Sequence, residues 1–199
     1  MFKFNKRTIT TANEFWKWFS KHENEYYELE GDIEGKFKNL EKYLTQIHSD
    51  LSFEFSADLI DGKREFIISA DGFKDAFPYV INIVDSSPLN TSKWELIAFK
   101  QRNGMNEIEY EGVILKPENL SFSYELVERK GKKEIDIDVY VTELELSDET
   151  VGAIFIFLDN LIGEYDVATK IRNIDFHEIK TSSSNLIAIK ELVGILDSL

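Results

Sequence analysis

Cysteine is absent from the 199 residues, which removes disulfides, thiolate metal sites and cysteine nucleophiles together. Histidine and proline occur only three times each. No apolar run approaches the roughly 20 residues that span a bilayer; the longest, Val151 to Leu158, is broken by Gly152. The stretch MFKFNKRTITTANEF lacks the unbroken apolar core of a secretory leader. A cytoplasmic, reducing location is the expectation. No phosphate-binding loop, dinucleotide fingerprint or nucleophile elbow is present, and no cofactor is expected. Positive charge is also scarce, with 23 Lys and Arg against 37 Asp and Glu and a net charge of −14. Neither nucleic-acid backbones nor anionic membranes attract a polyanion, so the expected partners exclude both.

What is present is core material. Apolar residues make up 43%, including fifteen Phe, eight Tyr and three Trp, enough for a globular protein with a sizeable core. Phe15, Trp18, Phe19, His22, Tyr26 and Leu29 form one helical stripe over 13–29, opened by Thr11 or Asn13. Phe37, Leu40, Leu44 and Ile47 predict a second helix over 34–48. The period then switches to two at Leu51, Phe53, Phe55 and Ala57.

Three turn dipeptides suggest hairpins. Folding at Asp61-Gly62 pairs Phe55 with Ile68, Phe53 with Ala70 and Ala57 with Phe66. Asn103-Gly104 pairs Phe99 with Ile108 and Ile97 with Tyr110, and Lys130-Gly131 pairs Leu126 with Ile135, Tyr124 with Ile137 and Phe122 with Val139. Trp94 to Phe99, apolar on both faces, reads as a central strand. Between 69 and 78, Ser69-Ala70-Asp71-Gly72 leads into a helix at Pro78 with Val80, Ile81 and Val84 inward. Asp71 and Asp75 repel a phosphate there, so this is a structural joint.

A helix over 148–162 carries Val151, Ile154, Phe155, Leu158 and Leu161. Tyr165, Val167, Thr169 and Ile171 alternate as a strand that slips phase near Asn173, as a bulge would cause. A last helix, from Ser182, turns Leu186, Ile189, Val193 and Leu196 inward. The expected fold is a single α+β domain over 1–199: a helical pair at 11–48, a sheet and helix at 51–146, and C-terminal helices and a strand at 147–199. Its antiparallel twisted sheet has six to seven strands built from hairpins, with four to five helices mainly on one face.

Chemistry is sparse. His22 lies on the apolar stripe, and "HENEY" lacks the second histidine of a zinc-binding helix. His48 caps a helix end, and His177 flanks a strand. Glu164 and Asp166, two apart on the expected strand, share a face suited to a divalent cation or a general acid. Residues 101–150 hold thirteen acidic against six basic residues, half of the net charge of −14. Glu107, Glu109 and Glu111 alternate along one segment, and Glu134, Asp136 and Asp138 along another. In the Lys130-Gly131 register Glu125 opposes Asp136, an arrangement that costs sheet stability. Trp16 and Tyr27 lie on one flank of the first helix, placed as interface anchors.

The segments "FWKWF", "ISADGFKDAFPYV", "WELIAFKQR" and "LDNLIGEYD" resemble a family of uncharacterised bacterial proteins of about this length. The likeness spans most of the chain and implies no activity and no catalytic residue. The leading expectation is a binding module whose acidic sheet face (Glu125, Asp136, Asp138, Glu109), with Trp16 and Tyr27, meets a basic protein partner. The alternatives are a metal-assisted hydrolase using Glu164 and Asp166, and a structural subunit that self-associates.

Overall fold

The computed structural model describes residues 11–104, 106–180 and 185–199. The protein is α+β, and its chain divides into two compact units, 1–99 and 100–199.

In the first unit, α1 (Ala12–Glu28) begins at a reciprocal cap: Thr11 Oγ1 accepts from Glu14 N while Glu14 accepts from Thr11 N. The second helix, α2, spans Ile33–Ile47. Three strands follow, β1 (Ser52–Phe55), β2 (Arg64–Ser69) and β3 (Trp94–Ala98), with α3 (Phe77–Asp85) between the last two. Phe53, Phe55 and Phe66 meet Phe19 and Tyr26 of α1 and Phe37 of α2 in an aromatic cluster, with Phe55 and Phe66 stacked 4.6 Å apart. At the joint Ser69–Gly72, Asp71 N donates to Ser69 Oγ at 3.0 Å, and Asp71 and Gly72 both hold positive φ. On α3 it is Phe77, Val80 and Ile83, three apart, that face the core, whereas Ile81 is exposed.

The second unit contains β4 (Ile108–Tyr110), β5 (Val113–Leu115), β6 (Leu120–Arg129), β7 (Lys132–Val141), α4 (Asp148–Ile162), α5 (Glu164–Lys170), β8 (Ile171–Glu178), β9 (Ile187–Ala188) and α6 (Leu192–Asp197). Phe122, Ile135, Ile137, Val139 and Val141 pack against Ile154, Phe157, Leu158 and Leu161 of α4 and Leu192 and Leu196 of α6. That inner face is the core, and it leaves the opposite face of the sheet outward.

The single antiparallel sheet is not what forms. Among the described residues the strands make three sheets, ordered β1-β2-β3, β4-β5 and β8-β7-β6-β9. β2 pairs with β3, and β7 with β8, in parallel. Each parallel pair is joined through helices, α3 in one case and α4 with α5 in the other, as a parallel connection requires. β3 is therefore an edge strand and β2 the central one. No hairpin forms at Asn103-Gly104. The turn is one strand later, at Glu111-Gly112, both with positive φ, pairing Ile108 with Leu115. At Asp61-Gly62 the hairpin forms, but Phe53 pairs with Ile68 and Phe55 with Phe66, two residues from the expected register. The even slip keeps every aromatic on its intended face.

The Lys130-Gly131 hairpin follows the expected register throughout, including Glu125 opposite Asp136. The segment 164–170 is a helix and not a strand; Glu164, Val167 and Ala168 are buried at helical spacing. The phase slip is real: Ile135 pairs with Ile171 and Asp136 with Asn173, so Arg172 is the extra residue of a bulge. The last helix is short, 192–197, preceded by β9 and a 3-10 turn; the start of the expected helix, up to residue 184, lies outside the described residues.

Candidate functional site: the outer face of the four-stranded sheet

Alternation along β7 sends Ile135, Ile137, Val139 and Val141 into the core, which turns Glu134, Asp136, Asp138 and Tyr140 outward. Register adds the neighbouring strands. One row runs Glu125–Asp136–Asn173 and the next Ser123–Asp138–Asp175. Two acid pairs therefore lie directly across adjacent strands, Glu125 against Asp136 and Asp138 against Asp175.

The protein answers part of this charge itself. Arg172, lifted out of register by the bulge, donates from Nε to Asp136 Oδ1 at 2.7 Å and from Nη2 to the other oxygen. That hydrogen-bonded fork holds the Asp136 carboxyl below its ordinary range and raises the guanidinium. Lys132 Nζ meets Glu134 at 2.8 Å. His177 Nε2 lies 2.7 Å from Asp138 Oδ1, and its ring stacks on Tyr140. Asn173 Nδ2 donates to Asp175 at 2.8 Å. Glu125 has no cation or side-chain donor among the described residues, and it is exposed. Among the described residues no group of three or more His, Asp or Glu is placed to hold a metal ion. The chemistry offered is electrostatic: a patch of carboxylates, incompletely neutralised, on paired strands.

The other candidates are dispersed. Glu109 lies on β4, in the two-stranded sheet and not on this face. Trp16 is not a surface anchor: it is 2% exposed and donates from Nε1 to Ile83 O at 2.8 Å, taken into the aromatic core. Tyr27 is half-buried, with its hydroxyl on Gly62 O at 2.8 Å and Lys93 Nζ 5.3 Å above its ring. Because 164–170 is helical, Glu164 and Asp166 point about 200° apart around the axis and share no face. Glu164 is fully buried; it accepts from Lys100 N and donates its own N–H to Lys100 O, both at 3.0 Å. Asp166 meets Arg102 at 2.8 Å and Lys170 at 3.1 Å.

Sequence reasoning missed Asp175 and Arg172. Their one signal was the phase slip at Asn173; their neighbours depended on a parallel pairing across thirty-odd residues. Compared with models of known families, with curated proteins and with solved structures, the chain matches none. Among the described residues no helix is long and apolar enough to cross a membrane.

Proposed function

We propose that this chain is a protein-binding module whose acidic outer sheet face receives a basic protein partner. The observation behind this reading is the double opposition of Glu125 to Asp136 and of Asp138 to Asp175, with Glu125 lacking a counter-charge among the described residues. Like charges directly across a strand pair cost on the order of 0.2–1 kcal/mol each. Sheet stability opposes this arrangement, and a cationic partner relieves it. The net charge of −14 adds long-range steering toward such a partner. Neutralisation of a basic toxin or nuclease belongs to this class of function.

The test is capture from the lysate of the source organism at low salt and at about 0.5 M salt, where exposed charges are screened. A Glu125→Lys, Asp138→Lys, Asp175→Lys variant is carried alongside; Asp136 is left in place because Arg172 depends on it. The expected result is a basic protein held by the unmodified chain at low salt, and lost both at high salt and with the variant. Circular dichroism confirms that the variant is folded. Identical capture by both chains ends the reading.

A further inference from the structure

The four-stranded sheet has two unlike edges. On β8 a bulge at Arg172 and the polar side chains of Asn173, Asp175 and His177 discourage strand addition. The other edge is β6, whose ten residues are met by β9 only at Ser121 and Phe122. From Ser123 to Arg129 no strand of the described residues pairs with it. Between Ser123 and Glu128 there is no proline, lysine or bulge.

The direction of the backbone groups follows from the hairpin. Lys130 and Gly131 both have positive φ, the two-residue turn in which the flanking pair, Arg129 and Lys132, exchanges hydrogen bonds. At the far end Thr142 N donates to Asn119 O at 2.9 Å, in the same phase. The odd-numbered residues of β6 therefore bond to β7, and Tyr124, Leu126 and Glu128 turn their N–H and C=O groups outward.

Resting on the acidic-face reading, we infer that the β6 edge left unpaired by the described residues takes an extended segment of the basic partner as an added antiparallel strand. Basic residues of that segment stand opposite Ser123 and Glu125, and apolar residues opposite Tyr124 and Leu126. Side chains directly across a strand pair lie about 5 Å apart at Cβ, so a lysine opposite Glu125 meets a carboxylate that has no cation or side-chain donor among the described residues. Opposite Ser123 the short hydroxymethyl leaves a long basic side chain a path to Asp138, next in the row. On the other face Tyr124 and Leu126 are 39% and 57% exposed, an apolar strip that an alternating segment covers. A second copy of the chain fits less well. Two-fold pairing about Leu126 sets Tyr124 against Glu128 and leaves Glu125 opposite Val127, while two molecules of charge −14 repel.

The probe is a fluorescent synthetic peptide, Ser-Val-Lys-Leu-Lys-Thr-Ser, which paired antiparallel to β6 sets Val, Lys, Leu and Lys opposite Leu126, Glu125, Tyr124 and Ser123; a control of the same composition has the lysines adjacent. Anisotropy at about 50 mM salt, where surface charges act at full range, reads the affinity. The alternating peptide is expected to bind at least about tenfold more tightly than the control. N-methylation of its Val and Leu, whose N–H groups face β6, costs about tenfold or more. Leu126→Pro does the same while leaving the β7 ladder intact, because the Leu126 N–H takes no part in it. If that variant fails to fold, the N-methylated peptide gives the answer with the unmodified chain. Binding lost with Glu125→Lys but indifferent to Leu126→Pro and to N-methylation overturns the added strand and leaves the acidic face standing. Indifference to all three overturns both. Sedimentation showing a dimer that Leu126→Pro abolishes, without peptide binding, assigns the edge to a second copy and also overturns the inference.

Discussion

Arg64 illustrates how much one side chain settles in the first unit. It is buried, and its guanidinium donates to three backbone carbonyls: Tyr27 O from Nε and Nη2 at 2.9 and 2.7 Å, and Ser56 O and Ala57 O from Nη1 at 2.6 and 2.9 Å. It thereby ties the end of α1 to the irregular arm of the β1–β2 hairpin, where the register departs by two from the simple fold about Asp61-Gly62. Lysine keeps the charge and loses the planar fork, leaving carbonyls unsatisfied. Arg64→Lys should lower unfolding stability by about 1–3 kcal/mol in urea titration, with an unchanged m-value. A loss under about 0.5 kcal/mol would mean that other donors satisfy these carbonyls. In the sequence Arg64 is an ordinary polar residue at a strand start; only its partners, up to 37 positions away, distinguish it. Trp16 is the mirror case. It sits beside the expected stripe, and α3 supplies the carbonyl that draws it in.

At the scale of elements, hairpins were legible in proportion to how local they are. In the Lys130-Gly131 hairpin, strands of ten residues meet with no irregularity, so turn and alternation specify the same register. The turn itself is imperfect, since Lys130 holds φ +52, a conformation that burdens a side chain with a Cβ. Lys130→Asn keeps the geometry with a residue suited to it and should raise stability by about 0.5–1 kcal/mol, seen as a higher denaturation midpoint. A lower midpoint would show that the lysine side chain contributes something the turn does not. Other elements were ambiguous for a physical reason. Over seven residues, Glu164–Lys170 satisfies a period of two at Tyr165, Val167 and Thr169, and a period of 3.6 at Glu164, Val167 and Ala168. The buried Glu164 decides for the helix by exchanging hydrogen bonds with the backbone of Lys100. Asn103-Gly104 closes no hairpin: β3 ends at Ala98, and the next strand, β4, takes β5 as its partner.

At the scale of the molecule, the net charge of −14 is held together by a few well-placed cations. Arg102 grips Asp197 at 2.6 Å and Asp166 at 2.8 Å, tying α6 to α5; its hydrogen bonds keep the Asp197 carboxyl below the ordinary range. Arg172 does the same to Asp136. A carboxyl depressed in the folded state binds its proton more weakly there than in the unfolded chain. Its contribution is therefore complete above the unfolded value and is lost as pH falls through the folded one. The thermal midpoint should hold from about pH 8 to 5 and fall below about pH 4. In Asp197→Asn that acid decline should be shallower, measured by calorimetry across the series. Parallel declines in the two proteins would remove Asp197 from the account.

Alternation and turn chemistry were enough to specify the β6–β7 hairpin and, with it, the opposition of Glu125 to Asp136, because every contact involved lies within about twenty residues along the chain and repeats with period two. Division into three sheets, the parallel joining of β8 to β7 and the second acid pair, Asp138 with Asp175, arose from packing. Burial of α4 and α5 on the inner face carries the chain back alongside β7, and the Arg172 bulge then sets which residues meet. Pairings of that kind are chosen by the surface the helices bury, a quantity that no local period records.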